Sequence, residues 1–256
     1  MTGTELEKIH TAAQILKQSK HAIVFTGAGI STPSGIPDFR STNTGLWQKN
    51  DPMLVASATA FKNHPDRFYR WLQPLLLASS QAQPNPAHQA IAALERNGCV
   101  KAVITQNIDN LHQKAGSINV IELHGTMEFF HCPACHKPAS DSHAIMEEIL
   151  AGLIPYCNHC GAIIKPDITL YEEPLPMQAW QDANEEVTQA DVMLIAGSSL
   201  EVIPASSLPY DAHQGGSKII IVNYSHTYLD PLADVVINGD VAEVLPKILE
   251  NTISLK

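Results

Sequence analysis

Gly27-Ala28-Gly29-Ile30-Ser31-Thr32-Pro33-Ser34-Gly35-Ile36-Pro37-Asp38-Phe39-Arg40 follows the apolar run Ala22-Ile23-Val24-Phe25, with only Thr26 between them. An apolar, β-branched run ending in glycine reads as a strand whose carboxyl end opens into a loop where bare backbone can meet a phosphate. Gly27 and Gly29, having no Cβ, let that loop turn tightly and approach a pyrophosphate. The dinucleotide fingerprint of dehydrogenases requires a further glycine where Thr32 stands, and an acidic residue about 20 positions on, where Trp47 stands. The loop ends instead in an acid, a ring and a fixed cation, Asp38-Phe39-Arg40. A pyrophosphate-bearing cofactor is expected here, without hydride transfer.

The rest of the chain narrows the class. Its 256 residues are enough for one large domain plus an insertion. With 16 Lys+Arg against 26 Asp+Glu the net charge is −10, which argues against nonspecific nucleic-acid binding and favours basic partners. No apolar run approaches the 18 or so residues of a membrane span. The first residues are polar with a helical period (Leu6, Ile9, Ala13, Leu16) and lack the apolar core of a secretion signal, so a cytoplasmic protein is expected.

Four of the five cysteines form Cys132-x2-Cys135 and Cys157-x2-Cys160, with 21 residues between the pairs. Each pair reads as a knuckle aiming two thiolates at one metal, and two knuckles complete a tetrahedral zinc site. Two disulfides would instead suit a secreted chain. Four thiolates leave no open coordination position, so the zinc is expected to be structural. His131, His136 and His159 flank the cysteines as alternative ligands that a full thiolate set makes superfluous. Cys99 reads as a small buried core residue.

Strand-like runs at 22–26, 102–105, 119–123, 192–196 and 218–222 alternate with helical patterns at 86–96, 178–190, 205–213 and 241–250. This predicts an α/β fold: a Rossmann-like parallel sheet with helices on both faces and ligands beyond the strands' carboxyl ends. Two stretches break the rhythm, a helical one at 51–82 and the zinc knuckles at 127–165. Residues 1–44, 84–126 and 166–256 are therefore expected to form the cofactor domain. Residues 45–83 and 127–165 are expected to form a smaller inserted one.

Polar residues gather where the strands end: Gln106-Asn107-Ile108-Asp109, His124-Gly125-Thr126, Gly197-Ser198-Ser199-Leu200 and Asn223. Singly, each has an ordinary explanation as a turn or helix cap. Together with the glycine loop they mark five strand ends, which is where an open α/β sheet binds its ligand.

The order of these motifs, with Lys165-Pro166-Asp167 after the cysteine pairs, resembles the sirtuins, NAD-dependent protein lysine deacylases, in a compact, prokaryote-like form. The resemblance runs from Gly27 to the end of the chain. It implies that Gly27, Ala28, Thr32, Asp38, Phe39 and Arg40 line the NAD site, with Phe39 covering the nicotinamide ribose. Gln106, Asn107, Ile108 and Asp109 would hold that ribose and the carboxamide. Gly197, Ser198 and Ser199 would meet phosphate and adenosine ribose, and Asn223 and Val241 the adenosine. His124 would be the general base, with Asn107 and Asp109 beside it in catalysis. The implied products are nicotinamide, free lysine and O-acyl-ADP-ribose. The peptide would add as a strand between 168–173 and 199–204 in the interdomain cleft. Where many members read Phe-Gly-Glu, this chain has Tyr171-Glu172-Glu173.

Other functions on these motifs are an ADP-ribosyltransferase sharing His124 and the loop, a noncatalytic NAD sensor, and a zinc-ribbon nucleic-acid binder. Asn107, Asp109 and His124 together speak against the sensor, and the net charge of −10 against the nucleic-acid binder. Family members that prefer succinyl- or malonyl-lysine carry a Tyr-x-x-Arg pair on a small-domain helix. Here Tyr69 aligns with the tyrosine and Leu72 with the arginine, while Arg70 lies about 100° round the helix. An acyl pocket without a cation is expected.

Overall fold

The computed structural model describes residues 3–40 and 45–254. Residues 41–44 and both chain ends, all inside the expected cofactor domain, lie outside the described residues. The strands are β1 (Ala22–Thr26), β2 (Val100–Thr105), β3 (Val120–Glu122), β4 (Gly125–His131), β5 (Lys165–Ile168), β6 (Val192–Ala196), β7 (Lys218–Asn223) and β8 (Val235–Asn238). The helices are α1 (Gly3–Gln18), α2 (Pro52–Val55), α3 (Ala58–Asn63), α4 (Pro65–Gln81), α5 (Pro86–Arg96), α6 (Leu111–Lys114), α7 (Ser142–Leu150), α8 (Met177–Gln189), α9 (Leu208–Gln214) and α10 (Val241–Ser254).

Six strands form one sheet in the order β3-β2-β1-β6-β7-β8, every pair parallel. Central β1 is buried at all five positions, as a strand covered on both faces must be. Its side chains alternate between two cores. Ala22 and Val24 join Ile9, Ile91 and Leu245 from α1, α5 and α10, whereas Ile23 and Phe25 join Val187 and Leu208 from α8 and α9. Each of the larger of these side chains contributes about 1.5–3 kcal/mol by burial. Strand β8 closes the edge and is an addition to the strands read from the sequence.

A third core gathers Phe68, Leu72 and Leu76 of α4, Phe130 of β4, Ile145 and Ile149 of α7, and the thiols Cys132 and Cys157. The antiparallel pair β4–β5 runs through it. The helical stretch expected at 51–82 is broken into three. The Asp51 and Ser57 side chains cap α2 and α3, and Pro65 starts α4 at a position where its missing N–H costs nothing. The expected helix at 205–213 opens as a 3₁₀ turn, Ala205–Ser207. Cys99 is half-buried at the rim of the first core rather than inside it, because it sits in the turn before β2.

Candidate active site

Because the strands are parallel, the ends of β1, β2, β3, β6 and β7 fall on one edge of the sheet. The order reverses between β1 and β6, the place where open α/β sheets form a ligand crevice. The loops after these two strands pack backbone against backbone. The Gly29 N–H donates to the Gly197 carbonyl at 2.8 Å. A Cβ on Gly29 would lie 2.8 Å from that oxygen, and one on Gly197, at φ 62°, would lie 2.2 Å from the Ile30 nitrogen. These glycines are thus required first by the loop-to-loop contact. The loop itself winds into two 3₁₀ turns, Ala28–Ile30 and Thr32–Ser34. The Thr32 hydroxyl turns back onto the Gly29 carbonyl at 3.0 Å.

The segment after β2 binds both loops. Gln106 Nε2 donates to Ser198 Oγ at 2.9 Å, and Asn107 Nδ2 donates to the Gly27 carbonyl and to Ser31 Oγ, each at 3.1 Å. Ser31 Oγ donates to Asp109 Oδ2 at 2.6 Å, and the Leu111 N–H donates to Oδ1 at 3.0 Å. Burial pushes the Asp109 carboxyl pKa up, while these donors and Lys114 pull it down. Ile108 is half-buried against the third core. The loop from β1 and the segment from β2 are thereby one hydrogen-bonded unit.

His124 follows β3 and is half-buried. Its Nδ1 lies 2.8 Å from the Gln106 carbonyl oxygen. A carbonyl can only accept, so Nδ1 carries the proton and Nε2 presents a lone pair. Burial holds the pKa of His124 below its ordinary value; the Gln106 carbonyl opposes this and the charge of Arg40 adds to it. The side chain is a neutral base with one nitrogen held and the other available.

At the loop's far end, Asp38 Oδ1 accepts the Arg40 N–H at 2.9 Å. Arg40 Nε lies 3.1 Å from a Glu201 carboxylate oxygen, and its Nη2 donates to the Tyr171 hydroxyl at 3.4 Å. Phe39 stacks on Trp47 with ring centroids 5.1 Å apart. Ser199 is half-buried and Ser198 buried beside Gly197. Farther along the edge, Asn223 Nδ2 donates to the Ser225 carbonyl at 2.9 Å. Val241 opens α10, and Asp240 before it accepts the Ala242 N–H at 2.8 Å.

The floor beneath the loop is made of isolated residues, of which Asn85 and His88 belong to no sequence motif. Asn85, the cap of α5, donates to the Ile30 carbonyl at 2.8 Å and to Ser34 Oγ at 2.9 Å. His88 Nε2 lies 3.5 Å from Ser31 Oγ, and its ring meets His112 edge-on at 4.9 Å. His112 Nε2 lies 3.0 Å from Thr26 Oγ1. Burial holds His88 down to about 4, and holds His112 well below its ordinary value. Both are neutral in the fold, whereas the unfolded chain takes up protons near pH 6.5. Stability is therefore lost as pH falls from 6.5 toward 4, by about 2 kcal/mol for His88 alone at pH 5. Urea midpoints should drop from pH 7 to pH 5, and drop less in His88→Asn; equal drops would contradict this origin.

The cysteines lie apart from this edge. Their four sulfurs fall within 4.8 Å of one another, with Cys132 and Cys160 at 3.4 Å and Cys135 and Cys157 at 3.8 Å. Four thiolates about 2.3 Å from one tetrahedral ion require S···S separations of about 3.8 Å, so the set fits zinc. None is in a disulfide. Two of the flanking histidines have other partners: His131 pairs with Asp167, and His159 Nε2 lies 2.8 Å from Lys137 Nζ.

With this geometry the comparisons agree. Residues 27–204 match the Sir2 family model. The chain is 50% identical to NAD-dependent protein deacylase 2 of Archaeoglobus fulgidus over 98% of each chain. A solved Sir2 enzyme superposes with a TM-score of 0.92 at 50% identity, covering 98% of this chain and 99% of that one. Another, Sir2Af2 bound to a myristoylated histone peptide, gives 0.83 at 44% identity over 97% and 98%. Glycine loop, strand-end residues and four-cysteine cluster together make this chain a member of the Sir2 family.

Proposed function

We propose that this chain is an NAD-dependent protein lysine deacylase that moves the acyl group to ADP-ribose and releases nicotinamide. The observation that carries this is His124, a neutral base with a free Nε2 on the edge where the glycine loop and 106–109 meet. The named relative, an NAD-dependent deacylase, supports it.

In this reading NAD supplies an electrophilic ribose carbon and the hydroxyl that receives the acyl group. Gly27, Ala28, Thr32, Asp38 and Arg40 line its path, and Phe39, braced on Trp47, screens the reacting carbon from water. Gln106, Asn107, Ile108 and Asp109 hold the nicotinamide half; Gly197, Ser198, Ser199, Asn223 and Val241 hold the adenosine half. His124 Nε2 takes the proton from the ribose hydroxyl. Holding two reactants in line accounts for a large share of the rate, on the order of 7–11 kcal/mol. Cys132, Cys135, Cys157 and Cys160 hold one structural zinc. Residues 45–83 and 127–165 form the small domain, as the third core supports. A cytoplasmic location fits thiols that a reducing compartment keeps free.

The acyl-lysine peptide adds as a strand between 168–173 and 199–204. Much of the first wall is already engaged: the Tyr171 backbone pairs with Ala56 and Ala58, and the Leu170 N–H donates to Glu173 at 2.8 Å. Glu172, between them, is exposed. It stands at φ 74°, a conformation costly without glycine, and its carboxylate offsets that by accepting the Thr59 N–H at 2.8 Å.

Tyr69 and Leu72 both turn into the third core, the Tyr69 hydroxyl bonding the Ile164 carbonyl, while Arg70 is exposed beside Asp66. None of them brings a cation to the cleft. Succinyl-lysine should therefore be removed at least about 10-fold less efficiently than acetyl-lysine, since a buried unpaired carboxylate costs several kcal/mol. Steady-state kcat/KM on one peptide bearing either group decides it, and equality defeats the idea.

Mass spectrometry of the protein with NAD and an acetyl-lysine peptide tests the whole reading. Nicotinamide, deacetylated peptide and O-acetyl-ADP-ribose are expected in equal amounts. ADP-ribose attached to protein without the O-acetyl product would favour a transferase.

A further inference from the structure

Among the described residues, four side-chain polar atoms are buried without a hydrogen-bond partner, and two of them belong to one stacked pair: Trp47 Nε1 and Trp71 Nε1. The two indoles lie nearly parallel, with centroids 5.8 Å apart and 15° between planes. Trp47 also stacks on Phe39 of the glycine loop and meets Tyr171 edge-on at 6.2 Å. Trp71 continues the stack toward Phe68 of the third core at 6.1 Å. The pair therefore stands where glycine loop, peptide wall and small-domain helix α4 converge. It is Trp71, rather than the core-packed Tyr69 or Leu72, that α4 presents to this junction.

An indole N–H is a donor and nothing else, and leaving one buried and unpaired is costly. Two at one junction make a wall that is apolar over its rings yet asks for an acceptor. Among the described residues no free cation accompanies them: Arg40 is engaged by Glu201 and Tyr171, and Arg70 faces solvent beside Asp66. A carboxylate would enter without a counter-charge, and a plain alkyl chain would leave both donors unanswered.

We propose that Trp47 and Trp71 are specificity-determining residues that select neutral acyl groups carrying a hydroxyl or keto oxygen on the acyl chain, such as 3-hydroxybutyryl. This rests on the deacylase reading above. The chain oxygen accepts from an indole N–H while the alkyl part lies against the rings. The comparison is butyryl, which lacks only that one oxygen.

The test is kcat/KM on one peptide bearing acetyl-, butyryl- or 3-hydroxybutyryl-lysine, for the wild type and for Trp47→Phe and Trp71→Phe. Hydroxybutyryl should exceed butyryl by about two- to tenfold in the wild type, the worth of one net hydrogen bond. In at least one variant the ratio should fall to one or below. A wild-type ratio below one, or a ratio unchanged in both variants, overturns the proposal. No turnover of acetyl peptide by the wild type would instead defeat the deacylase reading itself. A measurement independent of the variants uses protein labelled with ¹⁵N-tryptophan, which carries only three indole signals. With NAD present, hydroxybutyryl peptide should move one or two of them downfield relative to butyryl peptide. Identical spectra with the two peptides count against it.

Discussion

His124→Ala should lower deacylation by about 10²–10⁴-fold while leaving NAD affinity within about twofold. The magnitude is that of removing a positioned general base. The separation from binding follows from the geometry. The His124 imidazole is held by the Gln106 carbonyl at Nδ1–H, whereas Gln106 is also held by the Thr26 carbonyl at its N–H and by Ser198 at its side chain. Losing the imidazole leaves the cofactor-facing segment tied at those points. Calorimetric NAD titration beside the activity assay distinguishes the cases: activity above a tenth of wild type would falsify the role. The wild-type pH profile carries a second check. The base works unprotonated, and burial lowers its pKa. The acid limb of kcat/KM should therefore lie below pH 6.5, with activity lost as pH drops through the depressed pKa. Removing the charge of Arg40, which helps depress this pKa, should move the limb upward.

How much of this was legible beforehand depended on whether a signal repeats. Strand β1 was readable to the residue because five consecutive buried positions end at a glycine. Strand β6 carries the same signal, ending before Gly197, and β7 has a buried run that ends at Asn223, while α5 has Asn85 as cap and Pro86 at its first position. Strand β8 escaped notice. It has four residues, alternates in burial, and lies between Asp234 and Gly239. The β4–β5 pair was hidden because its ladder is interrupted between Gly125 and Phe130, breaking the alternation that marks a strand. In the site, most of the expected residues occur in runs, whereas Asn85 and His88 stand alone. Ser31 sits inside the quoted loop, yet its importance comes from Asp109 and Asn107, 78 and 76 positions away. Neither that nor the His88–His112 contact has any local periodicity. The stacking of Trp47 on Trp71 likewise joins two segments that sequence spacing cannot bring together.

Cys132→Ser should release the zinc and melt the small domain while the sheet that binds NAD stays folded. The fold separates the two. Strand β4 carries seven residues from Gly125 to His131, so the metal knuckle lies roughly 24 Å along the chain from the base, outside its chemistry. The core around the cysteines is the third cluster, in which Cys132 and Cys157 pack with Phe130, Ile145 and Ile149, whereas neither sheet core includes a knuckle residue. The backbone N–H of Cys135 above all, and that of Ala134, hold the Cys132 thiol down to about 6, favouring the thiolate that zinc needs. Structural zinc contributes on the order of 10–16 kcal/mol in isolated fingers, so losing the ion removes far more than a small domain can spare. Deacylation should nonetheless collapse, because the segment 168–173, the wall proposed for the peptide, continues directly from β5. That strand is tied to β4 so closely that a Cβ on Gly125 would lie 1.9 Å from the Asp167 carbonyl oxygen. Native mass spectrometry should show one zinc per wild-type chain and none in the variant. Calorimetry should split the variant's unfolding into an early transition and a later one that NAD still raises. A metal-free wild type, or a variant that melts in one step with the wild type, would leave the cysteines without the role given them here.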